Sequence, residues 1–145
     1  MKSNEIIKIA REWIGTPFHE QARQKHFGCD CIGLIIGIAK EIGAISLTGK
    51  TWQACDIIQY NTLQDNHMLL SEMPKHFLCI NHSAIIPGDI LLMEVQCNHY
   101  HICLYDTKGI IHACSSIGKV AYHKMIPNWK IISTFRYLID PLSLQ

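Results

Sequence analysis

Two periodicities divide the chain. Near its start, Ile6, Ile7, Ala10 and Trp13 recur at three- and four-residue intervals, the spacing of one helical stripe. Ser3 is placed to cap that helix and "GTP" (15–17) to end it. A polar loop, "HEQARQKHFG", follows. Asp30 is then the expected N-cap of a second helix, with Cys31 in its first turn and Gly43 near its end. Residues 31–42, "CIGLIIGIAKEI", are apolar on almost every side, the pattern of a helix buried at the centre of a fold. Segment 48–82 holds no sustained period; within it "HMLLSEMPKHFL" predicts a short helix interrupted near Pro74. From "IPGDILLMEV" onward the pattern changes to short β-type runs at 89–95, 100–105, 109–113, 118–122 and 131–139, separated by Gly and polar residues. These predict an antiparallel meander or small barrel. Helices first and strands second define an α+β fold, with N-terminal helices packed on a C-terminal antiparallel sheet.

Size and composition narrow the class. A chain of 145 residues, 48% hydrophobic and 17% charged, is expected to be one compact domain over 1–145. A formal net charge of +1 gives no field suited to nucleic acid, although nine histidines would make the chain more basic in mildly acidic surroundings. The start, "MKSNEIIKIAREWIG", lacks the apolar core and cleavage site of a signal peptide, and no run is long enough for a membrane span. Seven cysteines without an export signal predict free thiols, made in the cytoplasm.

The candidate chemistry lies in "CDC" (29–31), "NHYHICLYD" (98–106) and "GIIHACS" (109–115). His99, His101 and Cys103 share one strand face, and His112 stands on the next strand. With the two strands paired, His101 and His112 would face the helix beginning at Cys31. A thiol at a helix N-terminus has its thiolate favoured by the dipole and by free N–H groups. A facing imidazole can take the thiol proton, and a third polar group can hold that imidazole in a useful tautomer. This assigns Cys31 as nucleophile, His101 as base and His112 as orienting group, with Asn98 or Asp106 as other orienters. Asp30 reads as a cap.

Other readings compete. Cys31 could be a buried structural thiol. Cys29, Cys31, His99 and His101 could form a zinc set, although structural sites usually space their cysteines by two to four residues. A Cys29–Cys31 disulfide would close a strained ring, so Cys29 reads as a bystander or a regulator by oxidation. Cys55, Cys79, Cys97 and Cys114 read as packing or surface thiols. Trp13, Trp52 and Trp129 read as core, with Trp52 or Tyr60 as the alternative wall of a substrate groove.

The ordered motifs resemble those of NlpC-type cell-wall peptidases. "IAREWIGTPFHEQARQKHFGCDCIGL" is similar to that family's Gly-Thr-Pro-Tyr segment followed by Asp-Cys-Ser-Gly-Leu. "PGDILLMEVQCNHYHICLYD" is similar to its Gly-Asp strand followed by His-Val-Gly-Ile-Tyr, and "GIIHACSSIGKV" to its His-Ala strand. The "CDC" form and "VAYHKMIPNWKIISTFRYL" look most like the branch encoded in phage and prophage tail regions. The resemblance implies a papain-like fold and a cysteine peptidase needing no metal or organic cofactor. Its implied substrate is a peptidoglycan stem peptide, cut between D-glutamate and diaminopimelate or lysine through a thioester. It carries Cys31, His101 and His112 into the same three roles, and implies phage-tail proteins as partners that deliver the enzyme to the wall.

Two positions depart from the family pattern. Phe18 stands where a tyrosine is usual, and losing one donor near an oxyanion costs about 2–4 kcal/mol when it supports the transition state. Ile32 replaces a serine; its backbone N–H, not its side chain, would face the oxyanion. Phe18 supports the rival class, a structural tail component with a degenerate peptidase fold. A papain-like amidase or acyltransferase on another substrate also stays open.

Overall fold

The computed structural model describes residues 3–55, 66–96 and 99–139. Helix α1 (Ser3–Glu12) leads through a hairpin of β1 (Arg23–Gln24) and β2 (Gly28–Cys29) into α2 (Cys31–Ile42). Strand β3 (Ala44–Ile45) and helices α3 (Trp52–Cys55) and α4 (Asn66–His76) follow. The C-terminal part holds β4 (Leu78–Ile80), a 3-10 turn (His82–Ala84), β5 (Ile90–Gln96), β6 (His99–Asp106), β7 (Gly109–Cys114), β8 (Lys119–Lys124), β9 (Lys130–Arg136) and β10 (Leu138–Ile139). The order of helices, then sheet, is the expected α+β arrangement.

Six strands form one antiparallel sheet in the order β4-β9-β5-β6-β7-β8. Strands β5 to β8 are the expected meander. The run 131–139 is corrected: β9 returns beside β5, and β10 leaves the sheet to pair with β3. The break is anchored at Tyr137, which is buried and donates its hydroxyl to the Ile35 carbonyl of α2 at 2.8 Å. Side chains alternate across the sheet with the period of two that strands impose. Ile90, Leu92, Ile102, Leu104 and Ile111 join the core around α2. Leu91, Met93, Cys103 and Ile110 form a second cluster against Trp129, Ile131 and Met125.

Helix α2 organises the first core. All of its residues except Lys40 and Glu41 are buried, as its all-round apolar sequence requires. Gly43 ends it in the left-handed region (φ 70°), with its N–H directed at the Ala39 and Lys40 carbonyls. Ile6, Ile7 and Ala10 of α1 bury the predicted stripe, and Trp13 lies just beyond the helix end, 1% exposed. Its indole packs against α2 at Gly37, where an added Cβ would lie 2.3 Å from the ring.

Two helix details differ from expectation. Ser3 is the first residue of α1 rather than its cap, and its hydroxyl donates to the Pro87 carbonyl, tying the helix to the start of β5. Helix α4 runs two residues past Pro74. The bond that Pro74 cannot donate would have reached Leu70, which is on the exposed side, where water can serve its carbonyl. Among the described residues, no helix is long and apolar enough to cross a membrane.

Gly37→Ala is expected to destabilise the fold by about 1–3 kcal/mol, since Trp13 cannot retreat without opening the core. Urea denaturation checks this, and an unchanged midpoint would refute the close contact.

Candidate active site

The site begins where two strands part. Strands β6 and β7 pair only at Asp106↔Gly109, Tyr105↔Ile110 and Leu104↔Ile111. Beyond that point β6 stays with β5, through Leu92↔Ile102 and Met93↔His101, while β7 stays with β8 to Cys114↔Lys119. The N-terminus of α2 meets this opening. Cys31, its first residue, lines a cleft of about 390 Å³ together with Phe18, His99, His101, His112 and Trp129.

The loop before α2 holds the thiol in place through one carboxylate. Asp30, fully buried, has extended backbone (φ −102°, ψ −172°) and accepts from Gly33 N–H at 2.6 Å through Oδ1. Its Oδ2 accepts from Gln21 N–H at 2.6 Å, joining the helix cap to the preceding loop. Gly33 permits this approach: a Cβ there would lie 1.9 Å from the Ala22 carbonyl oxygen. Asp30 is thus a cap, as expected. Phe18 is positioned by a backbone ladder along β8, in which Gly15 N–H donates to Val120 at 2.9 Å and Phe18 N–H to Gly118 at 2.8 Å. Its ring reaches the cleft without a donor of its own.

Burial governs the protonation of the group. The backbone N–H groups of Ile102, Ile32 and Cys31 favour a thiolate at Cys31, but burial, then the neighbouring Asp30 charge, push the thiol up to about 12. Burial, then repulsion from His112 and His99, holds His101 down to about 3. Burial, then His123, lowers His112 to about 4. Burial thus favours the thiol at Cys31 and the neutral form at both imidazoles.

The imidazoles form a bonded dyad. His101 Nε2 and His112 Nδ1 are 2.8 Å apart, with ring planes at 76°. This engages Nε2 of His101, so only its Nδ1 is open to a thiol proton. Nδ1 is open when the hydrogen of His101 sits on Nε2 and is donated to His112 Nδ1. The hydrogen of His112 is then on Nε2, an atom that is buried and without a hydrogen-bond partner among the described residues. Leaving such a donor unmet costs roughly 1–3 kcal/mol. Two rings beside it were missed in the sequence: Trp129, 5.9 Å from both imidazoles, and His123, 5.0 Å from His112. The available signal for His123 was the repeated spacing of His101, His112 and His123 across successive hairpins.

The remaining candidates sort as follows. Ile32 is buried and directs its N–H at the Cys31 sulfur. Asp106 is not an orienter; at the far end of β6 it binds Arg11 bidentately at 2.9 Å. Among the described residues no three His, Cys, Asp or Glu side chains converge as metal ligands, so the zinc set is not assembled. Cys29 lies in extended β2 and Cys31 in the helix, on either side of the Asp30 cap, and both are free thiols. Trp52 is core, stacked on Phe77 at 5.0 Å, and forms no groove wall. Cys79 is exposed, whereas Cys114 lines the cleft, 3.0 Å from Ser116 Oγ. The side chain of Cys55, and Tyr60, Cys97 and Asn98, lie outside the described residues.

No protein-family model and no curated protein sequence matches the chain. Among solved structures it is similar to NlpC2 from Trichomonas vaginalis, at 17% identity and TM-score 0.62, over 95% of this chain and 47% of that one. It is similar to the NlpC/p60 domain of the peptidoglycan hydrolase SagA, at 22% identity and TM-score 0.56, over 86% and 90%. It is also similar to RipD from Mycobacterium tuberculosis, a non-catalytic NlpC/p60 domain protein adapted to peptidoglycan binding, at 10% identity and TM-score 0.50, over 94% and 98%. The fold is therefore that of NlpC/p60 domains, the papain-like arrangement expected. The chain spans about half the length of NlpC2.

Cys31 is expected to alkylate more slowly than exposed Cys79 at pH 7 and to gain rate steeply above pH 9; peptide-resolved mass spectrometry with iodoacetamide checks this. The two depressed imidazoles set the acid behaviour. Between their folded values, about 3 and about 4, and the ordinary value near ~6.5, the unfolded chain binds more protons. Stability is thus expected to be fully present above that range and to fall as pH falls through it. A urea midpoint unchanged from pH 7 to pH 4 would contradict the buried neutral dyad.

Proposed function

We propose that this chain is a cysteine peptidase that hydrolyses an amide bond in the stem peptide of bacterial peptidoglycan. The observation that carries the reading is a thiol on the first turn of a buried helix, in one cleft with a hydrogen-bonded imidazole pair. His101 Nδ1 takes the Cys31 proton as the sulfur attacks the scissile carbonyl carbon. The oxyanion so formed lies within reach of the backbone N–H groups gathered at the helix start. Collapse breaks the C–N bond, and His101 returns its proton to the departing amine. A water molecule, deprotonated by His101, then attacks the thioester, releasing the acid and restoring the thiol. His112 holds His101 in the required tautomer throughout.

The resemblance of the motifs supports the D-glutamyl bond to diaminopimelate or lysine as the scissile one, a single catalytic domain over 1–145, and carriage to the wall by a phage-tail-like particle. A second reading has specific support: a module that keeps the fold without the chemistry. Phe18 removes a hydroxyl from the cleft, and the similar RipD is a non-catalytic domain.

Digestion of purified peptidoglycan by wild type and by Cys31→Ala, with fragments read by mass spectrometry, decides between them. The peptidase reading expects stem-peptide fragments from wild type alone. Intact walls and intact free stem peptides with both proteins would establish the non-catalytic module.

A further inference from the structure

The sheet places a third imidazole in line with the dyad. His112 stands opposite Ala121 on β8, so His123 is its diagonal neighbour on the same face. Their ring centroids are 5.0 Å apart with planes at 69°, the centroid separation found between His101 and His112. The row runs across β6, β7 and β8, from rings lining the cleft to one that is half-buried. Trp129 covers the same rings at 5.9 Å; with Nδ1 of His112 engaged by His101, His123 is the closer by ring centroid of the two remaining aromatic neighbours.

His112 Nε2 is buried, with no hydrogen-bond partner among the described residues, and it carries the hydrogen in the tautomer that frees His101 Nδ1. An edge-to-face contact with an electron-rich ring is the interaction open to such a donor. We propose that His123 is a positioning residue of this site, whose ring face receives the Nε2–H of His112 and so keeps His101 Nδ1 open for the Cys31 proton. The inference rests on the reading of Cys31 and His101 as nucleophile and base. His123 never meets the substrate; it acts through His112. Among the described residues, the other ionisable groups sharing the cleft with His112 are His99, Tyr100 and His101 from β6, Cys31 from α2 and Cys114 on its own strand, with Lys119 as its second diagonal neighbour.

Long-range nitrogen–proton NMR spectra of the full chain resolve both nitrogens of each imidazole. At neutral pH His112 is expected as the Nε2–H tautomer. His123→Phe, which keeps a ring face, is expected to retain it, and His123→Leu, which removes the face, to give a mixture of tautomers. With a stem-peptide substrate, His123→Leu is expected to lower kcat by about tenfold or more at unchanged KM, and His123→Phe to stay near wild type. An Nδ1–H tautomer at His112 in wild type, or no change in His123→Leu, overturns the proposal. Where His123→Leu fails to fold, wild type and His123→Phe decide: the His112 Nε2–H signal must show the upfield ring-current shift of a proton over a ring face in both, and its absence overturns the role. A wild type that cuts no stem peptide yet shows the expected tautomers supports the positioning role while removing the peptidase reading.

Discussion

The separation of β6 from β7 beyond Leu104 and Ile111 is the constraint on which the site depends. At the turn Lys108 adopts φ 61° and β6 pairs with β7 from Asp106↔Gly109, while Gly109 packs tightly on β8, where a Cβ would lie 2.3 Å from the His123 carbonyl oxygen. Continued pairing in the same register would set Cys103 opposite His112 and His101 opposite Cys114. The ladder would then engage the Ile102 amide, and the end of α2 would have no gap to enter. Because the strands part, that amide is directed at the Cys31 sulfur, and His101 and His112 turn to each other. Both strands remain secured on their outer sides by β5 and β8, so the opening does not loosen the sheet.

The same burial that orders these groups opposes their charged forms. Three backbone N–H groups favour the thiolate, yet desolvation outweighs them, and desolvation also holds both imidazoles neutral. On the proposed peptidase reading, charge separation between Cys31 and His101 accompanies substrate attack, where the developing oxyanion shares the N–H groups at the helix start. Asp30 acts against the thiolate as a charge, but its two short hydrogen bonds fix the helix start that brings those N–H groups to the sulfur. The cap is a compromise between geometry and potential.

Much of this was legible because it is local. The all-round apolar run 31–42, the Asp30 cap and the Gly43 stop specify α2 within its own sequence. Parity puts His101 with Met93 and Cys103 on the face of the second cluster, so the expected facing of α2 across paired strands is corrected: the cleft forms where β6 and β7 part. Features decided by distant partners were not. Ser3 is claimed by Pro87, so a residue well suited to capping becomes a tether. Strands β3, β4 and β10 have two or three residues each and exist through their partners, not through any period of their own. Trp129 was assigned to the core by residue type, yet it both covers the second apolar cluster and walls the cleft. His123 lacked a motif, and only the register of β7 on β8 makes it a neighbour of His112.

Fold alone does not separate a hydrolase from a wall-binding module, since the chain is similar both to the NlpC/p60 domain of a hydrolase and to a domain without catalysis. The protonation chemistry does bear on the choice. A buried thiol with raised proton affinity and two imidazoles with lowered affinity, one buried and one half-buried, contribute less to stability than apolar side chains of similar size would. One of those imidazoles keeps a donor atom without a hydrogen-bond partner among the described residues. Violations of this kind gather where function holds groups that packing alone would replace, and here they lie together in one cleft. A module retained only for its shape has no need of the bonded dyad or of strands held apart to admit a thiol. Among the described residues of that cleft, Phe18 is the group whose chemistry argues the other way, and it lacks a donor while the backbone N–H groups at the sulfur are in place.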